Sequence, residues 1–332
     1  MREKMRKGSG PSSNISEPIK PHNILVEQMG AMLSDFGFSQ WVHEDMSDSS
    51  SVHMRGTERW RAPEVQKGQK HSWQSDVFSA GCVTYFTFTG GQHPFGEGGE
   101  RKTRIEDGRS DLQPLLRMDM GVYKYSFVQS MISHDPGQRP PIPALLKHPI
   151  FWDSDDKLTF LGIVFNKIKP ENHDKGRTEV ITLLEGGASV VLRGRDWKTL
   201  LPDAVIKVID YSCYNGRSVY DLVKLIRDLP QHFGPARMKV FGSQDGMLDY
   251  FDHMFPALIL HCYVVGQSRR QDADLKRYYD ERYSFPFLPP DLETRIGMAT
   301  LLLIQVQENV GPNCEQEVED MEIDLNDFFR DN

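Results

Sequence analysis

Lys20-Pro21-His22-Asn23-Ile24-Leu25-Val26, continued beyond Gly30 by Ala31-Met32-Leu33-Ser34-Asp35-Phe36-Gly37, is the stretch that decides the fold. Apolar residues gather at 24–27 and 31–34 on either side of Gly30, which predicts two short strands joined by a turn. Asn23 stands twelve residues before Asp35, so the strand pair is flanked by an amide and a carboxylate. Neither group alone is informative. An ordered set of short motifs follows: Gly56-Thr57-Glu58, Ala62-Pro63-Glu64, Asp76, Gly81, Pro94-Phe95-Gly96, Arg139-Pro140 and His148-Pro149.

Working outward, residues 1–18 are polar and rich in Gly, Ser and Pro, and are expected to be a disordered lead-in. Residues 38–56 are Ser-rich and predict a long loop in which Ser47, Ser49, Ser50 and Ser51 are candidate phosphorylation sites. Ser72 to Thr89 carries Trp73, Val77, Phe78, Ala80, Val83, Phe86 and Phe88, a length and composition that predict a buried helix ended by Gly90, Gly91 and Pro94. Further helices are predicted at 110–118, 123–134 and 141–148. From 153 to 288, apolar periodicity predicts helices at 156–166, 177–185, 200–211, 217–229, 235–241, 246–254 and 256–266, with no convincing strand alternation. The Pro-rich run Phe285-Pro286-Phe287-Leu288-Pro289-Pro290 closes that region. A helix at 292–308 and an acidic tail expected to be disordered complete the chain.

The chain has 332 residues, room for two domains of ordinary size. Cys82, Cys213, Cys262 and Cys314 have no CxxC spacing and read as reduced thiols. Net charge is −8, but the last twenty residues hold eight acidic groups and one Arg. The remainder is near neutral, so an anionic partner such as RNA is not excluded. The longest apolar runs, Met298 to Ile304 and Phe255 to Leu260, fall far short of the ~20 residues of a membrane span. Basic residues at the N-terminus are followed by no apolar run, so no secretory signal is expected.

Taken in order, the motifs of residues 19–152 resemble the C-terminal lobe of a protein kinase. The resemblance makes Lys20 and Asn23 the end of a catalytic loop and Asp35-Phe36-Gly37 the metal loop. Asn23 and Asp35 would then hold Mg²⁺ against ATP or ADP, with Lys20 beside the nucleotide. It also implies an ion pair between Glu64 and Arg139. The pattern departs where the proton acceptor should stand, five residues before Asn23, because that residue is Pro18. No Gly-rich loop, strand Lys or partnering Glu precedes the loop. Ser/Thr kinase activity is therefore not expected of this chain without an upstream lobe.

Phe151-Trp152 after His148-Pro149, and a helical region of about 135 residues behind it, resemble the kinase-extension nuclease domain. That domain occurs in the inositol-requiring kinase/endoribonuclease, the unfolded-protein-response sensor, and in ribonuclease L. Gly56-Thr57-Glu58-Arg59-Trp60-Arg61-Ala62-Pro63-Glu64 is closer to the sensor, and Leu225-Ile226-Arg227-Asp228-Leu229-Pro230-Gln231-His232 to ribonuclease L. The fold expected is mainly α: a kinase C-lobe at 19–152, an all-α extension at 153–288, and a tail at 289–332. The resemblance further implies a homodimer and RNA processing or decay in an unfolded-protein-type response. The chain itself makes no membrane contact and is expected to be cytoplasmic, on the cytosolic face of the endoplasmic reticulum if it belongs to a longer membrane protein. A pseudokinase scaffold without nuclease activity is the alternative.

Cleaving RNA without a metal requires removal of the 2′-hydroxyl proton, protonation of the departing 5′-oxygen, and a cation at the phosphoryl oxygens. An imidazole, titrating near ~6.5, suits the acid. A phenol serves as base only if neighbouring cations lower its pKa. The segment from Tyr214 to His232 holds all three group types. The resemblance assigns Tyr214 as base, His232 as acid beyond a Pro230 break, and Arg227 as phosphate ligand; the cationic side chains of Arg217 and Lys224 are candidates for further phosphate contacts. The family commonly has Asn where this chain has Asp228, a carboxylate that repels phosphate unless neutralised. His253 and His261 are weaker candidates, and no His/Cys/Asp cluster has metal-ligand spacing.

Overall fold

The computed structural model describes residues 13–15, 19–27, 30–34, 39–41, 57–168, 176–201, 213–232, 241–289 and 292. Four short strands form two antiparallel pairs. β1 (Ser13–Ile15) pairs with β4 (Ser39–Trp41), and β2 (Ile24–Glu27) pairs with β3 (Gly30–Leu33). The second hairpin sets Ile24 opposite Leu33 and Glu27 opposite Gly30, as the sequence around Gly30 predicts. β1 lies inside the segment expected to be unstructured, and β4 inside the expected loop. Each supplies backbone donors and acceptors to the other, a pairing that side-chain pattern does not announce.

Eleven α-helices follow among the described residues: α1 (Pro63–Gln66), α2 (Trp73–Phe88), α3 (Arg101–Glu106), α4 (Gly121–Met131), α5 (Ile142–Leu145), α6 (Ser154–Ile168), α7 (Gly176–Gly186), α8 (Ala188–Leu192), α9 (Val219–His232), α10 (Gln244–Met254) and α11 (Leu258–Gly266). No strand occurs among the described residues after Trp41, so the architecture is mainly α. The helix predicted at 110–118 is a 3-10 turn, Gln113–Arg117, stopped where Met118 turns extended. The break expected at Pro230 does not occur. Pro230 sits inside α9 and forfeits one backbone hydrogen bond. Burial of Leu222, Val223, Leu225, Ile226 and Leu229 on one face keeps the chain helical to His232. The helix predicted at 235–241 lies almost wholly outside the described residues, as does most of 200–211 and of 292–308.

The first half packs around α2, whose buried face carries Val77, Phe78, Cys82, Val83 and Tyr85. At Gly81 a Cβ would lie 2.7 Å from Met131 Cβ and 2.8 Å from Ile132 Cγ2, so only Gly permits α2 to approach the end of α4 this closely. The expected ion pair is present and bidentate. Arg139 Nη1 donates to Glu64 Oε1 at 2.6 Å and Nη2 to Oε2 at 2.9 Å. The remaining guanidinium donors reach the carbonyls of Ser133, Gln74 and His134. A charge this deeply buried is tolerated because its donors are matched on several sides.

The hydrophobic core runs without a break from this lobe into the helical extension. Trp152 packs on Phe160, Tyr263 and Tyr278. Polar links cross the same boundary from Tyr123 and Lys147, and from Tyr283, whose hydroxyl donates to the Gln138 carbonyl at 2.9 Å. Tyr123 on α4 donates to Asp252 on α10 at 2.5 Å, and Lys157 on α6 reaches the other oxygen of Asp252 at 2.7 Å. Lys147 donates to the carbonyl of Tyr279.

Candidate functional site

α9 is the element that organises the extension's polar residues. Its N-terminus is fastened by a side chain from another helix. Glu185 near the end of α7 accepts from Ser218 Oγ at 2.7 Å, from the Val219 amide at 3.0 Å and from the Tyr220 amide at 3.0 Å. A carboxylate here satisfies two of the four orphan amides of the first turn and faces the positive end of the helix dipole. The loop before it is held equally firmly. The Trp197 indole donates to the Ser218 carbonyl at 3.1 Å, and the Asn215 amide donates to Asp221 Oδ2 at 2.6 Å.

Tyr214 emerges from this loop against α9. Its ring makes an edge contact with Trp197, and the Lys224 ammonium lies 5.0 Å from its centroid. The phenol donates toward Asp228 Oδ2 at 3.5 Å. The other oxygen of Asp228 accepts from Arg227 Nε at 2.7 Å and also from Nη2. The Arg227 guanidinium lies 4.0 Å above the Phe165 ring, which is itself stacked on Tyr220. Tyr214, Asp228 and Arg227 thus form one hydrogen-bonded row on a packed aromatic base. The family-derived pair, Tyr214 and Arg227, is brought together; the side chain of His232 lies outside the described residues, although the backbone places His232 at the last position of α9.

A phenolate base requires a lowered pKa, but that of Tyr214 is pushed up to about 12, first by burial and then by the Asp228 carboxylate. Arg217 is exposed in the loop before α9, with its amide donating to Asn215 Oδ1. His261 is a core residue as expected: buried, hydrogen-bonded to the Leu184 carbonyl at 2.8 Å and lowered in pKa by burial. His253 is exposed at the end of α10. Glu185 and the Asp228 contact were missed in the sequence. Glu185 acts 33 residues from Ser218, and no local spacing marks it.

In the first lobe, Asn23 ends a 3-10 turn, Pro21–Asn23, and is buried. Its carbonyl accepts from the Ser34 amide at 2.7 Å and from Ser34 Oγ at 3.0 Å. This brings the residue before Asp35 against the loop of Asn23. Lys20 is half-buried and its carbonyl accepts from the Asn23 amide. Asp35, Phe36 and Gly37 lie outside the described residues, as do Ser47, Ser49, Ser50 and Ser51. No group of three or more His, Cys, Asp or Glu side chains capable of holding a metal occurs among the described residues. Nor is any helix among them long and apolar enough to cross a membrane.

A protein-kinase-type lobe whose core continues into a helical domain built around α9 is the class that the fold and site define. Residues 17–151 match the family model for the protein kinase domain, and residues 157–279 match that for ribonuclease 2-5A. The chain belongs to the family of kinase/endoribonucleases that joins these two domains. Among its relatives is the sensor for unfolded proteins in the ER ire1 of Schizosaccharomyces pombe, 29% identical over 303 residues, covering 80% of this chain and 28% of the relative. The serine/threonine-protein kinase/endoribonuclease ire-1 of Caenorhabditis elegans is 30% identical over 284 residues, covering 81% and 29%. The serine/threonine-protein kinase/endoribonuclease IRE2 of Homo sapiens is 30% identical over 297 residues, covering 85% and 31%. The chain therefore spans under a third of the length of these relatives.

Proposed function

We propose that this chain is an endoribonuclease module whose reaction is carried out at the α9 site, with the kinase-type lobe as its platform. The observation that carries the reading is the Tyr214–Asp228–Arg227 row, built by a loop residue against a helix that ends at His232, inside the segment matching ribonuclease 2-5A. Arg227 holds the scissile phosphate and neutralises charge on its non-bridging oxygens. The 2′-oxygen attacks phosphorus as it loses its proton, and the bond to the 5′-oxygen breaks as His232 protonates that oxygen. The products are a 2′,3′-cyclic phosphate and a 5′-hydroxyl end. Tyr214 takes the 2′-proton only as a phenolate, its own proton having gone to solvent, in an arrangement where it has left Asp228 and lies nearer Lys224. In the arrangement described it is a neutral hydrogen-bond donor. Arg217 and Lys224 add phosphate contacts.

The substrate proposed is RNA with unpaired loop nucleotides, where a base can turn out and align the 2′-oxygen with the phosphorus. The acid, the base and the phosphate ligand are all side chains, so no metal is assigned to cleavage. Asn23 with Asp35 would hold Mg²⁺ beside a nucleotide, with Lys20 near its phosphates; a bound nucleotide would order this lobe and favour a homodimer. The boundary between the domains is placed at 152/153, with 289–332 outside both. The cellular setting proposed is RNA processing or decay in an unfolded-protein response on the cytosolic side of the endoplasmic reticulum. The test is cleavage of a stem-loop RNA with chemical identification of the new ends. His232→Ala is expected to reduce cleavage by at least about 100-fold, the range of a lost general acid. Cyclic phosphate ends that persist undiminished in His232→Ala would remove this assignment. No cleavage by the unaltered chain at high concentration would leave the scaffold reading.

A further inference from the structure

We propose that Asp228 sets the affinity of the site for RNA by competing with the substrate phosphate for Arg227. The inference rests on the nuclease reading of α9. A phosphodiester and a carboxylate are recognised by a guanidinium in the same way, through parallel N–H donors meeting two oxygens or one shared oxygen. In this chain Nε and Nη2 of Arg227 both point at Asp228 Oδ1, so that edge of the guanidinium is occupied from within the protein. The flat face is covered as well, by Phe165 at 4.0 Å. The pair is also sheltered, with 20% of the Arg227 side chain and 10% of the Asp228 side chain exposed, so solvent screens it less than it would a surface pair.

A phosphate arriving at Arg227 meets two obstacles. It has to displace a carboxylate that is covalently tethered one residue away, at a high effective concentration. It also brings its own negative charge close to that carboxylate. Tyr214 is tied to the same competition, because its phenol donates toward the second oxygen of Asp228. When phosphate takes the guanidinium, the carboxylate loses its Arg227 donors, and the acceptor that the phenol faces is no longer held by them. Phosphate binding and the rearrangement of Tyr214 are thereby one event. Asp228 is accordingly a positioning residue: it acts on substrate through Arg227 and Tyr214.

The experiment measures binding of a stem-loop RNA carrying a 2′-deoxy nucleotide at the cleavage position, so that affinity is read without turnover. The proteins are the unaltered chain, Asp228→Asn, Arg227→Ala and the double variant. Asn keeps the shape of Asp and removes its charge; Asp228→Ser provides a second removal, and thermal melting establishes that each variant is folded. Asp228→Asn is expected to bind about tenfold more tightly at moderate salt, as one exposed-to-phosphate cation is released. Its dependence of log affinity on log salt should steepen by about 0.7, the increment for one more phosphate contact on a single strand. In the Arg227→Ala background the same substitution is expected to change affinity by less than about twofold, because the competition has no object. Unchanged or weaker binding in both charge-removing variants would overturn the proposal. So would a gain of equal size with and without Arg227, which marks general repulsion rather than competition. Failure of the nuclease reading is separate: it is decided by the His232 dependence of cleavage on all-ribose RNA, whereas this proposal is decided by binding to RNA that is not cut.

Discussion

His148 shows how a single buried side chain ties sequence to stability. It is fully buried against Phe127, Tyr263 and Phe285, so its ring is shared between the two halves of the chain. Nδ1 accepts from the Ile150 amide at 3.2 Å and Nε2 lies 3.4 Å from Ser126 Oγ. The neutral tautomer with its proton on Nε2 satisfies both contacts. Burial lowers its pKa from 6.5 to about 3. The folded pKa is depressed, so the contribution to stability is fully present above the unfolded value near ~6.5 and is lost as pH falls toward 3. His148→Asn keeps an acceptor for Ile150 but does not titrate. Between pH 6 and pH 4 its stability should fall less steeply than that of the unaltered chain, by up to about 1.4 kcal/mol per pH unit. Urea titrations at several pH values measure this, and identical slopes would mean that His148 titrates normally in the fold.

Among the elements, α9 carries the sharpest prediction. Glu185 serves three donors at its N-terminus, one of them the Ser218 hydroxyl. Glu185→Ala is expected to cost about 1–2 kcal/mol, the range for losing a helix cap, measured by urea denaturation. Rescue by Gln should be partial, since Gln accepts but brings no charge to the dipole. A cost near zero would show that water caps the helix equally well. The same elements show what was legible in the sequence. Trp73 to Phe88 was readable because bulky apolar residues fill a helix-length run between a Ser cap and two glycines. The extent of α9 was misread at Pro230, because local rules weigh one lost hydrogen bond and not the five apolar side chains buried beneath it. Tyr214 and Arg227 could be named from resemblance. Their tie through Asp228 could not, because adjacent helix residues ordinarily point apart and their pairing depends on side-chain rotamers. Glu185 was invisible because the fold alone brings α7 to the start of α9.

At the scale of the whole molecule, the two halves are joined by more than apolar contact. Tyr123, Lys157 and Asp252 come from α4, α6 and α10, and the Lys157 ammonium also lies 5.1 Å from the Tyr123 ring. The Lys157 and Asp252 side chains are only 11% and 15% exposed. Asp252→Ala strands a sheltered ammonium and leaves a buried phenol without its acceptor, at a cost of about 2–4 kcal/mol. In calorimetry the variant is expected to unfold at lower temperature over a broader range as the lobes part company. A melting curve of unchanged midpoint and width would show that aromatic packing around Trp152 suffices.

The Glu185 carboxylate at the start of α9 has a further consequence, for phosphate recognition. Helix beginnings commonly serve as docking points for phosphate, and this one is already filled by the protein's own anion. A phosphate that reaches the first-turn amides meets a carboxylate already bound there. On the nuclease reading, the phosphates are left to the cationic side chains of Arg217, Lys224 and Arg227 rather than to the helix amides. The first-turn amides of α9 are thus closed to a phosphate by the chain's own anion, and recognition at this helix falls to side chains.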